Sequence, residues 1–159
     1  MKAVSVKEIK TALSHHSQDE LIKICLQLSK FKKENKELLT YLLFESENEE
    51  LFIESVKKEI DEQFENVNTK TYYFIKKSVR KILKILKKYI RYSKQIETEV
   101  TLLIYFCQKL QSFNPSIQKN TVLLNIYNRE LTTIKKKVLL LHEDLQYDYG
   151  LEIKKLETT

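Results

Sequence analysis

The chain has 159 residues, a net charge of +6, and only one glycine, one proline and two cysteines. That length supports one domain with a real core. So few glycine and proline residues leave little material for hairpins and argue against sheets. One glycine also rules out glycine-rich phosphate loops, the dinucleotide fingerprint and a Gly-x-Ser-x-Gly nucleophile elbow.

Helix starts are legible along the chain. Ser5 with Glu8, Ser17 with Glu20 and Ser46 with Glu49 each have the spacing of a capping box, in which hydroxyl and carboxylate satisfy the free N–H groups reciprocally. Asn114-Pro115 reads as an N-cap and first helical residue, and Gly150 as a C-terminal stop. These marks predict helices near 5–13, 18–30 and 33–44, the last two continuous or separate. Longer helices follow at 47–67, 69–93, 95–112 and 115–149, and a tail at 151–159 adds a turn or frays.

The long helices repeat apolar residues at alternating spacings of three and four. The seams run through Ile53, Val56, Ile60, Phe64 and Val67, then Ile75, Val79, Ile82 and Leu86. They continue through Val100, Leu103, Cys107 and Leu110, then Leu124, Tyr127, Leu131, Ile134, Val138, Leu141 and Leu145. Helix 95–112 is apolar on most sides, as a central helix is. The predicted fold is therefore all-α: an up-and-down four-helix bundle of 47–67, 69–93, 95–112 and 115–149, preceded by short N-terminal helices. The domain reading is a hairpin over 1–44 packed on a bundle over 45–150, with a tail over 151–159, compact as a whole. At about 1.5 Å per residue, helix 115–149 is about 52 Å long and must overhang its partners or bend near Asn125 or Asn128.

Charge is unevenly laid out. Residues 1–44 are net +3, 45–68 net −7, 69–95 net +10 and 96–159 neutral. Between Lys70 and Lys94 stand ten Lys or Arg and no acid. At about 100° per residue, Lys76, Lys77, Arg80, Lys81, Lys84, Lys87, Lys88 and Arg91 form one stripe opposite the seam. Spaced cations on an outer face suit a phosphate backbone. Tyr73 lies in the stripe and Tyr92 borders it, and both are candidates to stack on bases. On the acidic helix, Glu50, Glu54, Asp61, Glu62 and Glu65 are expected to point outward, leaving two separate poles.

The other candidate chemistries have less behind them. A di-iron bundle needs Glu-x-x-His on two helices, and the three histidines, His15, His16 and His142, never occur in that motif. His15-His16 reads as a polar turn, and His142 beside Glu143 and Asp144 as an ion pair. Cys25 and Cys107 are far apart and read as small core hydrophobes. No catalytic, cofactor or metal residues are assigned.

The N-terminal pattern Val6, Ile9, Leu13, then Leu21, Ile22 and Cys25, resembles the two-helix hairpin of SAP-type nucleic-acid modules over less than a third of the chain. The glycine that family places in its turn is replaced by Ser14-His15-His16-Ser17, so no family and no function are taken from it.

The first residues lack the apolar core of a signal peptide, and the longest apolar run, Leu102–Cys107, is six residues against about twenty for a membrane span. The expected setting is the cytoplasm. The functional expectation is a non-enzymatic helical-bundle binding or scaffolding protein acting through its charged surface, with another protein or a second copy as partner and no small-molecule substrate. The alternative is an RNA- or DNA-binding protein using the basic helix 70–94. The third is an enzyme built on carboxylates.

Overall fold

The computed structural model describes residues 1–158, which are 80% helical with no strand. The described residues form eight α-helices: α1 (Val6–Leu13), α2 (Gln18–Phe31), α3 (Lys33–Thr40), α4 (Glu49–Glu65), α5 (Tyr72–Ser93), α6 (Ile96–Gln111), α7 (Thr121–Val138) and α8 (Glu143–Glu157). The all-helical expectation holds. The chain divides into two compact units, 1–44 and 45–159.

In the N-terminal unit, Ser5 and Ser17 form the two expected capping boxes with Glu8 and Glu20. Those bonds hold both carboxyls below the usual carboxylate range. Helices α2 and α3 are separate, because Lys32 is extended (φ −143°, ψ 145°). The Asn35 side chain crosses that break to donate to the Leu28 carbonyl at 2.9 Å. Cys25, Leu28, Ser29, Asn35, Leu38, Leu39 and Leu42 line a groove of about 260 Å³ between the two helices. Cys25, read from sequence as a core residue, is exposed there.

The second unit is built around α6, which packs against α4, α5, α7 and α8. Its Val100, Leu102, Leu103, Ile104, Phe106, Cys107 and Leu110 are all buried, as a central helix requires. The α5 seam Ile75, Val79, Ile82 and Leu86 is buried as expected. On α4 the buried row is Phe52, Val56, Ile60 and Phe64. Phe52 takes the place expected for Ile53, and its ring meets Tyr89 edge-on at 6.1 Å.

Several boundaries differ from expectation. The cap of α4 is Asn48, whose Oδ1 accepts from the Leu51 N–H at 3.1 Å. Glu49 is thereby the first helical residue and not the third, and its carboxylate accepts from the Ser93 and Thr98 hydroxyls. The expected helix 115–149 is two helices and a short lead-in. Asn114-Pro115 is cis and begins no helix. Asn120 caps α7 by accepting from the Val122 and Leu123 N–H groups at 3.1 and 3.2 Å.

The chain then turns at 139–142, and not at Asn125 or Asn128. His142 caps α8, its Nδ1 accepting from the Asp144 N–H at 3.4 Å. Glu143 and Asp144 in the first turn favour that start through the helix dipole. Gln146 Nε2 donates to the Leu141 carbonyl at 2.8 Å, covering the end of the preceding turn. Gly150, expected as a stop, lies within α8 with nothing within 4 Å of its Cβ direction. The expected tail is thus the second half of a helix that doubles back. Tyr149 hydrogen-bonds Thr101 at 2.7 Å, Tyr127 donates to the Leu156 carbonyl at 2.7 Å, and Ile153 and Leu156 are buried. Leu141, expected in the seam, is half-buried beside the turn.

Candidate functional site

Helix α5 carries its apolar seam inward and its cations outward, because the two sets lie on opposite sides of a 3.6-residue repeat. Its first turn is tied down by Tyr72, whose hydroxyl donates to the Ser116 carbonyl at 3.0 Å. Its end is set by Lys94, which adopts the left-handed conformation (φ 57°) that stops a helix.

The eight predicted cations fall into three groups. Lys77, Arg80, Lys81, Lys84 and Arg91 are exposed, and Lys76 is half-buried; none of the six has an acidic partner among the described residues. Lys88 is half-buried, its ammonium 4.7 Å from the Tyr89 ring centre and 6.0 Å from that of Tyr92. Lys87 is exposed along its stem but turns its ammonium inward to Glu130.

Glu130 is the site residue that the sequence reading missed. Its side chain is 0% exposed. Oε1 accepts from Lys87 Nζ and from Arg129 Nε, each at 3.0 Å. Oε2 lies 2.9 Å from the same ammonium but off the hydrogen-bonding direction, and it has no other partner. A signal was present: Glu130 stands four residues after Ile126 and four before Ile134, both buried. Burial pushes the Cys107 thiol up to about 12, and the negative charge of Glu130 adds to it.

The five acids expected to point outward from α4 do not neutralise the stripe. None of Glu50, Glu54, Asp61, Glu62 and Glu65 pairs with a stripe cation: Glu54 pairs within α4 with Lys57 at 2.8 Å. Asp61, expected to face outward, is instead half-buried against α6. It accepts from the Tyr105 hydroxyl at 2.6 and 2.7 Å and lies 2.7 Å from the Lys109 ammonium. Glu59 accepts from the Tyr89 hydroxyl at 2.6 Å.

At the start of the stripe, Tyr73, Lys76, Lys77 and Arg80 line an open recess of about 330 Å³. Tyr73 is 66% exposed, and its hydroxyl has no partner among the described residues. The edge-on ring of Phe74 stands 5.4 Å away. Tyr92, the other candidate for stacking, is buried and contributes nothing to the surface. Among the described residues no group of three or more His, Cys, Asp or Glu side chains is placed to hold a metal ion. No helix among them is long and apolar enough to cross a membrane.

Compared with family models, curated proteins and solved structures, the chain matches none of them.

Proposed function

We propose that this is a non-enzymatic binding protein that takes the phosphate backbone of a nucleic acid on the outer face of α5. One observation carries the reading: six cations between Lys76 and Arg91 have no acidic partner among the described residues. That stretch covers about 22 Å of helix axis at about 1.5 Å per residue. One strand of B-form DNA presents about six phosphates over such a length, at about 3.4 Å each. Neutralising them releases condensed counterions, which drives association without base-specific geometry. A cytoplasmic setting belongs to the same proposal, supported by two free cysteines.

The test is fluorescence anisotropy with labelled 20-nucleotide strands and duplexes at rising salt. Engaging about four to six phosphates gives a slope of log affinity against log salt of roughly −3 to −5. Reversing Arg80, Lys84 and Arg91 together to Glu should abolish binding and leave the thermal melt unchanged. Absence of binding at about 50 mM salt, or unchanged binding by the reversed chain, overturns the proposal.

A second reading, a protein partner or a second copy, is favoured by the N-terminal unit. Its Ile9, Ile22, Leu26, Leu28 and Phe31 are exposed, more apolar surface than scattered single residues account for.

A further inference from the structure

Building on the phosphate-binding reading of α5, we infer that the face is made for single-stranded nucleic acid, with Tyr73 as the platform for one unpaired base.

The argument starts from where Tyr73 stands. On the helical repeat, Tyr73, Lys77, Arg80, Lys84 and Arg91 fall within about 60° of one another. An aromatic ring therefore occupies the centreline of the cation row. A phenol neutralises no charge at neutral pH, so a tyrosine there offers a phosphate one hydroxyl hydrogen bond, which Tyr73→Phe removes while keeping the ring. In a duplex the base faces are covered by their neighbours in the stack, so a ring on an outer helix face meets phosphates and base edges there and no free base face. A single strand offers uncovered base faces, and every base has one, which makes stacking sequence-tolerant.

The surroundings of Tyr73 fit that use. Its hydroxyl is uncommitted, no ammonium lies over its ring, and the neighbouring aromatic ring is the edge-on Phe74. Tyr72 anchors the same turn to Ser116, so the platform sits on a fixed backbone. Lys76, Lys77 and Arg80 line the recess together with Tyr73. Lys77 and Arg80 stand about one and two turns along the helix, at about 6 and 10 Å. A base on the ring thus leaves its flanking phosphates beside cations that have no other partner. The recess, about 330 Å³, is at the lower end of the range of about 300–1,000 Å³ in which small ligands are held.

The experiment uses the full chain and three labelled probes: a 20-mer of thymidine deoxynucleotides, a 20-mer of uridine ribonucleotides and a mixed-sequence 20-bp DNA duplex. Three variants are compared with the parent: Tyr73→Ala, Tyr73→Phe, and the triple reversal of Arg80, Lys84 and Arg91 to Glu. Tyr73→Ala should weaken both single strands by about 5- to 150-fold, the range for losing one base–aromatic stack. The salt slope should not move, because the number of phosphates engaged is unchanged. Tyr73→Phe should stay within about twofold of the parent, and the duplex should respond to neither Tyr73 variant.

If Tyr73→Ala leaves single strands unaffected, or weakens strand and duplex alike, while the triple reversal still abolishes binding, the stacking inference falls and the phosphate-binding face stands. A loss confined to one of the two single strands ties the effect to the sugar or to the thymine methyl and overturns sequence-tolerant stacking as well. No binding of any probe at about 50 mM salt overturns the face and the inference together.

Discussion

In the N-terminal unit Val6, Ile9, Ile22, Leu26, Leu28 and Phe31 are all exposed, and Tyr41 is its one buried residue among those described. In the bundle the residues written at the same helical spacing, such as Ile75, Val79, Leu103 and Leu110, are closed off from water. Both regions have amphipathic helices with well-made caps. The difference is that α6 gives the bundle a helix apolar nearly all round, against which four others bury one face each. Helices α1–α3 are short and have no such hub. Periodicity reports which face a helix can bury; only a partner turns that face into a core.

The largest expected contrast tests that difference directly. Leu103 is 1% exposed and Leu26 is 49% exposed. Leu103→Ala should cost about 2–5 kcal/mol, since it removes buried surface and leaves a cavity. Leu26→Ala should stay within about 0.5 kcal/mol, as substitutions away from a core do. Urea unfolding of the two variants, followed by circular dichroism, measures both. Equal losses would mean that the N-terminal unit holds a core of its own.

Much of the fold was readable because it depends on local chemistry. Ser5 and Ser17 close their capping boxes within one turn, and the α5 seam needs only its own spacing. What could not be read depends on distant groups. The turn at 139–142 is stabilised by α8 returning to α6 through Tyr149 and Thr101, 48 residues apart. Ser46 and Glu49 have the spacing of a cap, but Asn48 competes for the same position, and Glu49 serves Ser93 at the end of α5 and Thr98 at the start of α6. Within the basic stripe the outward direction of the cations was legible. The inward commitment of Lys87 was not, because its partner Glu130 lies 43 residues away.

A middle-sized effect separates two lysines that look alike in sequence. Lys84 is exposed with no acidic partner among the described residues, whereas Lys87 pairs with a carboxylate that has no access to water. Lys87→Ala leaves Glu130 with Arg129 as its one cation, and it should cost about 1–3 kcal/mol. Lys84→Ala should remain within about 0.5 kcal/mol. The pair is isolated by repeating Lys87→Ala in a Glu130→Gln chain, where the step should become nearly silent. An unchanged cost there would assign the effect to the packing of the lysine stem and not to the ion pair.

The smallest effect is a pH dependence, and it sharpens the comparison inside the bundle between α4's outward acids and Asp61. Burial alone pushes the Asp61 carboxyl up, but the hydrogen bonds from Lys109 and Tyr105, with the Lys109 charge, outweigh it and hold the group below its ordinary 3.8. The folded state therefore releases this proton more readily than the unfolded chain. Its contribution is fully present above about pH 4–5 and is lost as pH falls through the lowered value. Asp61→Asn keeps one acceptor oxygen for the Tyr105 hydroxyl, exchanges the other for an NH2 donor and removes the charge opposite Lys109. The substitution should cost about 1 kcal/mol at pH 7, because the pair is partly solvated. The gap between the two proteins should narrow below about pH 4 as the native carboxyl takes up its proton. Urea midpoints at pH 7, 5 and 3 read this directly. Glu62→Gln, which removes an exposed acid from the same helix with no partner to lose, should show no such convergence. A gap for Asp61→Asn that stays constant across all three pH values would mean that the neutral hydrogen bonds, and not the charge on Asp61, tie α4 to α6.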